Sequence, residues 1–158
     1  GSKYGVEIEY SLESEPLSTV APIKLIKGLP DNFIVMNGDI LTDLNFKSFF
    51  DLHINKKELI TVGVFERETR IDYGVINFDD SMKLLGFEEK PIRKFNVSMG
   101  IYVFQKKILD IVPDKGAFGF DDLMIKMIEN KMSINIYKHT GKWLDIGRPE
   151  DYDYANNM

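Results

Sequence analysis

A mixed α/β fold, with a mostly parallel sheet, flanking helices and an inserted β-hairpin, is what this sequence predicts. Three observations carry that expectation. Strand-like and helix-like segments alternate with short connections up to Phe65, the order that builds a parallel sheet covered by helices. Two apolar runs, Phe33-Ile34-Val35-Met36 and Trp143-Leu144, each lead to an aspartate, Asp39 through the small turn Asn37-Gly38 and Asp145 directly. Open α/β sheets gather ligands at such carboxyl ends of strands. Between these runs, Tyr73–Phe78 and Leu84–Phe87 flank the turn residues Asp79-Asp80 and read as a hairpin.

The elements follow in order. Val6-Glu7-Ile8-Glu9-Tyr10 alternates apolar and polar residues and predicts a half-buried strand. Glu13–Ser18 reads as a loop, and Thr19 as the N-cap of a helix through Ala21, Ile23, Leu25 and Ile26, with Pro22 in its first turn and Gly28 and Pro30 ending it. The strand Phe33–Met36 comes next, then a helix over Lys47–Lys56 and a buried strand over Leu59–Phe65. After the hairpin, Glu88-Glu89-Lys90-Pro91 opens a polar loop that leads to Met99–Phe104, a run apolar on both faces and therefore central. Helices at Lys106–Ile111 and Asp122–Asn130, a strand at Ile134–Tyr137 and a helix from Pro149 complete the reading.

Composition narrows the functional classes. The 158 residues suffice for one domain with a core, and 44% hydrophobic with 28% charged residues is ordinary for a globular chain. The absence of cysteine removes disulfides and thiolate metal sites. No apolar run reaches the roughly 18 residues of a membrane span. A formal net charge of -5, with no dense basic block, argues against a reader of nucleic-acid backbones. The expectation is a cytoplasmic chain with a small-molecule ligand, with no membrane or nucleic-acid partner, and compatible with a homo-oligomer. Gly1-Ser2 has the form of a scar left by tag removal; residues 3–158 are read as part of a single domain whose natural chain begins further upstream.

Asp39 and Asp145 are the candidate metal ligands. Magnesium keeps several waters and takes one or two protein carboxylates plus substrate phosphates, so two aspartates suffice for Mg2+. Either aspartate alone also suits a turn or a helix cap. Pro91 disfavours a helical backbone at Lys90, which predicts an extended residue projecting its amine as a point charge for a phosphate, with Glu89 beside it to accept sugar hydroxyls. A solvated charge cluster is the alternative. Gly74 and Gly100 each open a strand-like run, where a missing side chain admits either a ligand or a bulge. His53 and His139 lack a neighbouring nucleophile and read as structural or surface residues.

Taken in order, Glu13-x-Glu15-Pro16-Leu17-Ser18-Thr19, Asn37-Gly38-Asp39, Tyr73-Gly74-Val75-Ile76, Glu89-Lys90-Pro91, Gly100-Ile101-Tyr102 and Trp143-Leu144-Asp145-Ile146-Gly147-Arg148-Pro149-Glu150-Asp151-Tyr152 resemble the sugar-1-phosphate nucleotidyltransferases. The resemblance covers Tyr4 to Asn156. It implies a Rossmann-like, glycosyltransferase-A-like fold and a reaction between a nucleoside triphosphate and a sugar 1-phosphate that yields a nucleotide-sugar and pyrophosphate. It implies that Asp39 and Asp145 hold magnesium, Lys90 meets the sugar phosphate and Glu89 the sugar hydroxyls. Gly38, Gly74 and Gly100 would line the substrate site by their backbone, and Glu13, Ser18 and Thr19 would lie beside the nucleobase.

Two departures stand out. The family usually has Gly-Thr-Ala where this chain has Ser18-Thr19-Val20, and its Gly-rich triphosphate loop would precede the first segment here. The chain therefore resembles the C-terminal part of a nucleotidyltransferase domain, incomplete at the N-terminus and inactive alone. Phe118–Leu123 and the Ile146–Pro149 ending are most similar to the mannose-1-phosphate guanylyltransferase branch, which favours GTP. Thymidylyl, uridylyl or cytidylyl transfer, a non-catalytic sugar-nucleotide-binding homologue, and a glycosyltransferase of related fold are the alternatives. The last usually carries Asp-x-Asp, and Asn37-Gly38-Asp39 supplies one aspartate only.

Overall fold

The computed structural model describes residues Gly1–Asn157. Eight strands occur among them: β1 (Asn32–Met36), β2 (Ile40–Thr42), β3 (Ile60–Arg70), β4 (Gly74–Phe78), β5 (Leu84–Glu89), β6 (Ile92–Gln105), β7 (Asn135–His139) and β8 (Trp143–Asp145). The α-helices are α1 (Phe46–Lys56), α2 (Phe120–Glu129) and α3 (Pro149–Asn156), and single 3-10 turns lie at Ser2–Tyr4, Ala21–Leu25 and Lys106–Asp110.

Four strands form a sheet in the order β1-β6-β3-β7, while β2 pairs with β8 and β4 with β5. Bonds from Lys106 N–H to Asp31 O and from Asn37 N–H to Gly100 O run β6 against β1, and Gln105 N–H to Leu59 O runs it against β3. Contacts from Asn135 to Thr61 and from Lys138 to Glu66 set β7 alongside β3. Strands β1, β3 and β7 thus point one way and β6 the other. Only β3 and β7 are parallel neighbours, and the arrangement is the mixed, Rossmann-like one that the alternation of segments predicts.

The chain divides into two compact units. One comprises Gly1–Val35, Phe50–Thr61 and Tyr102–Asn135; the other comprises Met36–Phe49, Val62–Ile101 and the residues from Ile136. In the first, α2 turns Leu123 and Met127, four residues apart, onto a core of Val20, Ile23, Phe104 and Ile108. A polar chain also lies buried there. Asn135 Nδ2 donates to Thr61 Oγ1, the Thr61 hydroxyl to His53 Nδ1, and His53 Nε2–H to Asn32 Oδ1. His53 is thereby a neutral structural imidazole, and burial holds its pKa below the ordinary value.

In the second unit the core holds Phe49, Val62, Met99, Ile101 and Trp143. The indole N–H of Trp143 donates to Met99 O at 2.9 Å, so its burial leaves no polar atom unpaired. Short antiparallel ladders give the registers Ile40↔Asp145 and Thr42↔Trp143 for β2 with β8 and Gly74↔Glu89 for β4 with β5.

Four local expectations are corrected. Val6–Tyr10 is not a strand: it pairs with none among the described residues, and Val6, Ile8 and Tyr10 are exposed. Alternation alone does not make a strand without a partner for its backbone. The helix expected after Thr19 is one 3-10 turn, Ala21–Leu25, whose N-cap is Val20, and the Thr19 hydroxyl instead accepts from Phe120 N–H at 3.0 Å. The polar stretch before Met99 is the outer half of β6, tied to the polar end of β3 by Lys94 with Glu66 and Glu68. Lys90 is not extended: its φ is +45°, in the left-handed region, at the break between β5 and β6 where Ile71 N–H meets Pro91 O.

Candidate functional site

Asp39 follows β1 on a turn whose shape depends on β6. Gly100 in β6 has φ +69°, and a Cβ there would lie 2.7 Å from Asn37 Nδ2. Only glycine accommodates both the left-handed backbone and that side chain. Asn37 N–H donates to Gly100 O at 2.9 Å. Gly100 and Asn37-Gly38-Asp39, separate motifs in the sequence, are therefore one piece of structure.

The β2–β8 ladder carries Asp145 to Asp39. Ile146 N–H donates to Asp39 O at 2.9 Å, which makes residues 39 and 146 the hydrogen-bonded pair and turns the backbone of Asp145 away from β2. Gly147 then lies between the carboxylates. A Cβ on it would stand 2.8 Å from Asp39 Oδ2 and 3.1 Å from Asp145 Oδ1, so those oxygens are no further apart than the two distances together. Asp145 Oδ1 accepts Gly147 N–H at 3.2 Å. The Asp39 carboxylate is exposed and has no hydrogen bond among the described residues, whereas Asp145 is half-buried.

A lock at the far end holds this ladder in register. Asp43 Oδ1 accepts Lys142 N–H at 2.6 Å and contacts His139 Nε2 at 2.9 Å, while the Thr42 hydroxyl donates to Lys142 O at 2.8 Å. The Lys142 N–H, more than the adjacent imidazole, holds the Asp43 carboxyl below its ordinary pKa against the opposing effect of burial. Beside β8, Leu41, Phe65, Trp143, Leu144 and Tyr154 line a largely apolar cavity of about 350 Å3. Asp39 and Asp145 are not among its lining residues.

The sugar-side candidates lie on the hairpin. Gly74 faces Glu89 in register, and the Phe87 ring fills the space of a Gly74 Cβ, with Glu89 Oε2 3.3 Å from the same point. Glu88 is bound to Arg93 through two bonds of 2.6 and 2.8 Å, which leaves Glu89 and Lys90 as the side chains of the Glu88-Glu89-Lys90 string without a charge partner. Neither the Glu89 nor the Lys90 side chain has a hydrogen bond or ion pair among the described residues. No hydrogen bond or ion pair joins them to Asp39 or Asp145.

The base-side candidates form a third group, in the first unit. Glu13 Oε2 accepts Leu17 N–H at 2.9 Å, and Oε1 has no hydrogen-bond partner among the described residues. Ser18 has φ +69°, a left-handed conformation that glycine adopts without strain. Bonds from Phe118 N–H to Leu17 O and from Val20 and Ala21 N–H to Phe118 O stitch this loop to Phe118-Gly119-Phe120.

Comparison with known proteins gives the family. The Nucleotidyl transferase family model matches residues 1–158. The chain belongs to the nucleotidyl transferase family. Among curated nucleotidyl transferases it is 32% identical over 157 residues to the mannose-1-phosphate guanylyltransferase catalytic subunit beta of Drosophila pseudoobscura pseudoobscura, covering 95% of this chain and 42% of that protein. It is 28% identical over 172 residues to the UTP--glucose-1-phosphate uridylyltransferase of a Synechocystis strain, covering 96% of this chain and 44% of that one. The fold matches a Bacillus anthracis structure assigned as a glucose-1-phosphate thymidylyltransferase, with TM-score 0.70, 20% identity, and 99% of this chain and 66% of that one covered. The chain spans less than half the length of the two curated nucleotidyl transferases.

Sequence reasoning missed Arg67 and passed over Asp151 as a separate residue. Asp151, in the first turn of α3, is only 6% exposed and takes Arg67 Nη2 on Oδ1 and Asp145 N–H on Oδ2, the latter at 3.0 Å. Arg67 sits in the polar Glu66-Arg67-Glu68 run, where no periodicity marks it.

Proposed function

We propose that this chain forms the metal-holding and sugar-phosphate-facing part of an enzyme that transfers a nucleotidyl group from a nucleoside triphosphate, GTP by preference, to a sugar 1-phosphate. An oxygen of the sugar phosphate attacks the α-phosphorus, and pyrophosphate leaves with the electrons of the broken P–O bond. One observation carries the reading: the Asp39 and Asp145 carboxylates converge across Gly147 with oxygens to spare. That hard-oxygen set fits magnesium, which needs only one or two carboxylates beside phosphate ligands. Bound there, magnesium would neutralise phosphate charge as the α-phosphorus is attacked.

The protein's own residues supply position and charge. Lys90 offers an unpaired amine to the sugar phosphate and Glu89 a free carboxylate to the hydroxyls. Chemistry of this kind rests on orientation and electrostatics more than on a protein nucleophile, so the structural role of His53 raises no difficulty. The guanylyltransferase relative and the free Oε1 of Glu13 support guanine.

The test is pyrophosphate release by the complete protein that carries this chain, with GTP, UTP, TTP and CTP against mannose 1-phosphate and glucose 1-phosphate. GTP is expected to give the largest kcat/KM, and Asp39→Asn and Asp145→Asn each to lower it by at least about 100-fold, the scale of losing one preorganised charge contact. Release from UTP or TTP alone would replace the base assignment. No release from any pair would leave a sugar-nucleotide-binding homologue as the better reading.

A further inference from the structure

We infer that Asp151, with Arg67 behind it, is a positioning residue that sets the metal affinity of the site by fixing the backbone of Asp145. The inference rests on the metal role proposed for Asp39 and Asp145.

Asp145 lies at the non-hydrogen-bonded position of the β2–β8 ladder, so its N–H and C=O point away from β2. A backbone donor left there without a partner in a part-buried site would be costly. Asp151 Oδ2 accepts that N–H at 3.0 Å, and the Asp145 carbonyl accepts Arg148 N–H at 3.0 Å. With Gly147 N–H on Oδ1 at 3.2 Å, three of its four polar groups are fixed, and both carboxylate oxygens keep lone pairs for a ligand.

Asp151 is itself fixed. Its Oδ1 pairs with Arg67, whose guanidinium carbon sits 5.3 Å from the centre of the Trp143 ring. Trp143 is anchored through its indole N–H to Met99 O. The network thus runs from the β6 backbone through Trp143 and Arg67 to Asp151 and ends on the amide of Asp145. Burial pushes the Asp151 pKa up, but the Arg67 bond and the Asp145 amide outweigh it and keep the carboxyl below its usual range. Asp151 is therefore ionised at neutral pH. A carboxylate that orients a ligand residue from behind typically changes metal affinity 10- to 100-fold when removed.

The experiment measures Mn2+ affinity by electron paramagnetic resonance, with Mg2+ competition, on the complete protein and its Asp151→Asn, Arg67→Met, Asp145→Asn and Asp39→Asn variants, alongside thermal unfolding. Asp151→Asn is expected to weaken divalent binding by about 10-fold or more, with kcat largely restored at saturating Mg2+. A merely structural role would lower the melting temperature and the activity without rescue by metal. If Asp151→Asn and Arg67→Met bind Mn2+ like the parent while Asp145→Asn does not, the positioning role is wrong and the metal site stands. If Asp39→Asn and Asp145→Asn also bind like the parent, the metal reading itself fails.

Discussion

Gly147→Ala probes the gap between the two aspartates with a single methyl group. Its Cβ would stand 2.8 Å from Asp39 Oδ2, shorter than carbon–oxygen contacts allow, and a tight 3.1 Å from Asp145 Oδ1, so an oxygen must withdraw by some tenths of an ångström. Asp145 is tied at its N–H, C=O and Oδ1, whereas the Asp39 carboxylate is exposed and unbonded. Asp39 is the group that moves. Gly147 does not have the left-handed φ that strains an alanine, and Gly→Ala at a compatible position gains about 0.4–1 kcal/mol from the unfolded state. Stability should therefore change by less than about 1 kcal/mol, a shift of about 2–4 °C at most for a chain of this size. Magnesium is less tolerant, since it demands near-octahedral oxygens at about 2.0–2.1 Å. A displaced ligand should weaken Mg2+ binding about tenfold, or about 1.4 kcal/mol. Calorimetric titration of Mg2+ in the presence of GTP reads the affinity and differential scanning calorimetry the stability. Unchanged affinity with unchanged stability would refute the idea that these carboxylates share an ion across Gly147.

Further outcomes follow from the same geometry. Gly100→Ala forces a left-handed alanine against Asn37, and equilibrium denaturation should show a loss of about 1–3 kcal/mol. Lys90→Gly removes both the amine and the strain of a φ of +45° before proline. Chemical denaturation should show it more stable than Lys90→Ala by about 1 kcal/mol, while both raise KM for the sugar phosphate; equal stability would mean the backbone there is unstrained. The folded pKa of His53 lies below its unfolded value near 6.5, so the unfolded chain binds the proton more readily and stability falls as pH drops below about 6.5. Melting temperatures between about pH 7.5 and 5 should fall less steeply for His53→Gln than for the parent chain.

What the sequence made legible was chemistry at strand ends. Asp39 and Asp145 stand out because each closes an apolar run, and that run is readable without knowing its partner. What brings them together was not legible: β2 is three residues, Ile40–Thr42, too short for any period, and its register is set by Asp43 meeting Lys142 from the far side of the chain. The outer half of β6 escaped for a related reason. Ile92 and Phe95 are exposed, and Lys94 finds its partners Glu66 and Glu68 only once β3 lies beside it. Val6–Tyr10 shows the converse, a clean alternation with no strand to pair with. Lys90 was misread because the preference of a residue before proline is local, while the break between β5 and β6, where Ile71 N–H meets Pro91 O, is not.

The two aspartates differ in a way that bears on how such a site works. Asp145 is clamped by three bonds and by the ion pair beneath it, so its free Oδ2 has a fixed position before any ligand arrives. Asp39 is clamped only through its backbone, and its carboxylate is free to rotate. If the site has the role proposed, taking an ion with a triphosphate and releasing it with pyrophosphate, it would gain from that asymmetry. In the proposed role, the fixed carboxylate would define where the ion sits and the mobile one would adjust around it. Two rigid carboxylates would hold the ion in one geometry, and magnesium, which dehydrates reluctantly and tolerates little distortion, would resist each exchange. Rigidity on β8 and freedom after β1 thus follow from one fact of the ladder: its last hydrogen-bonded pair joins residues 39 and 146, leaving Asp145 to be held by α3.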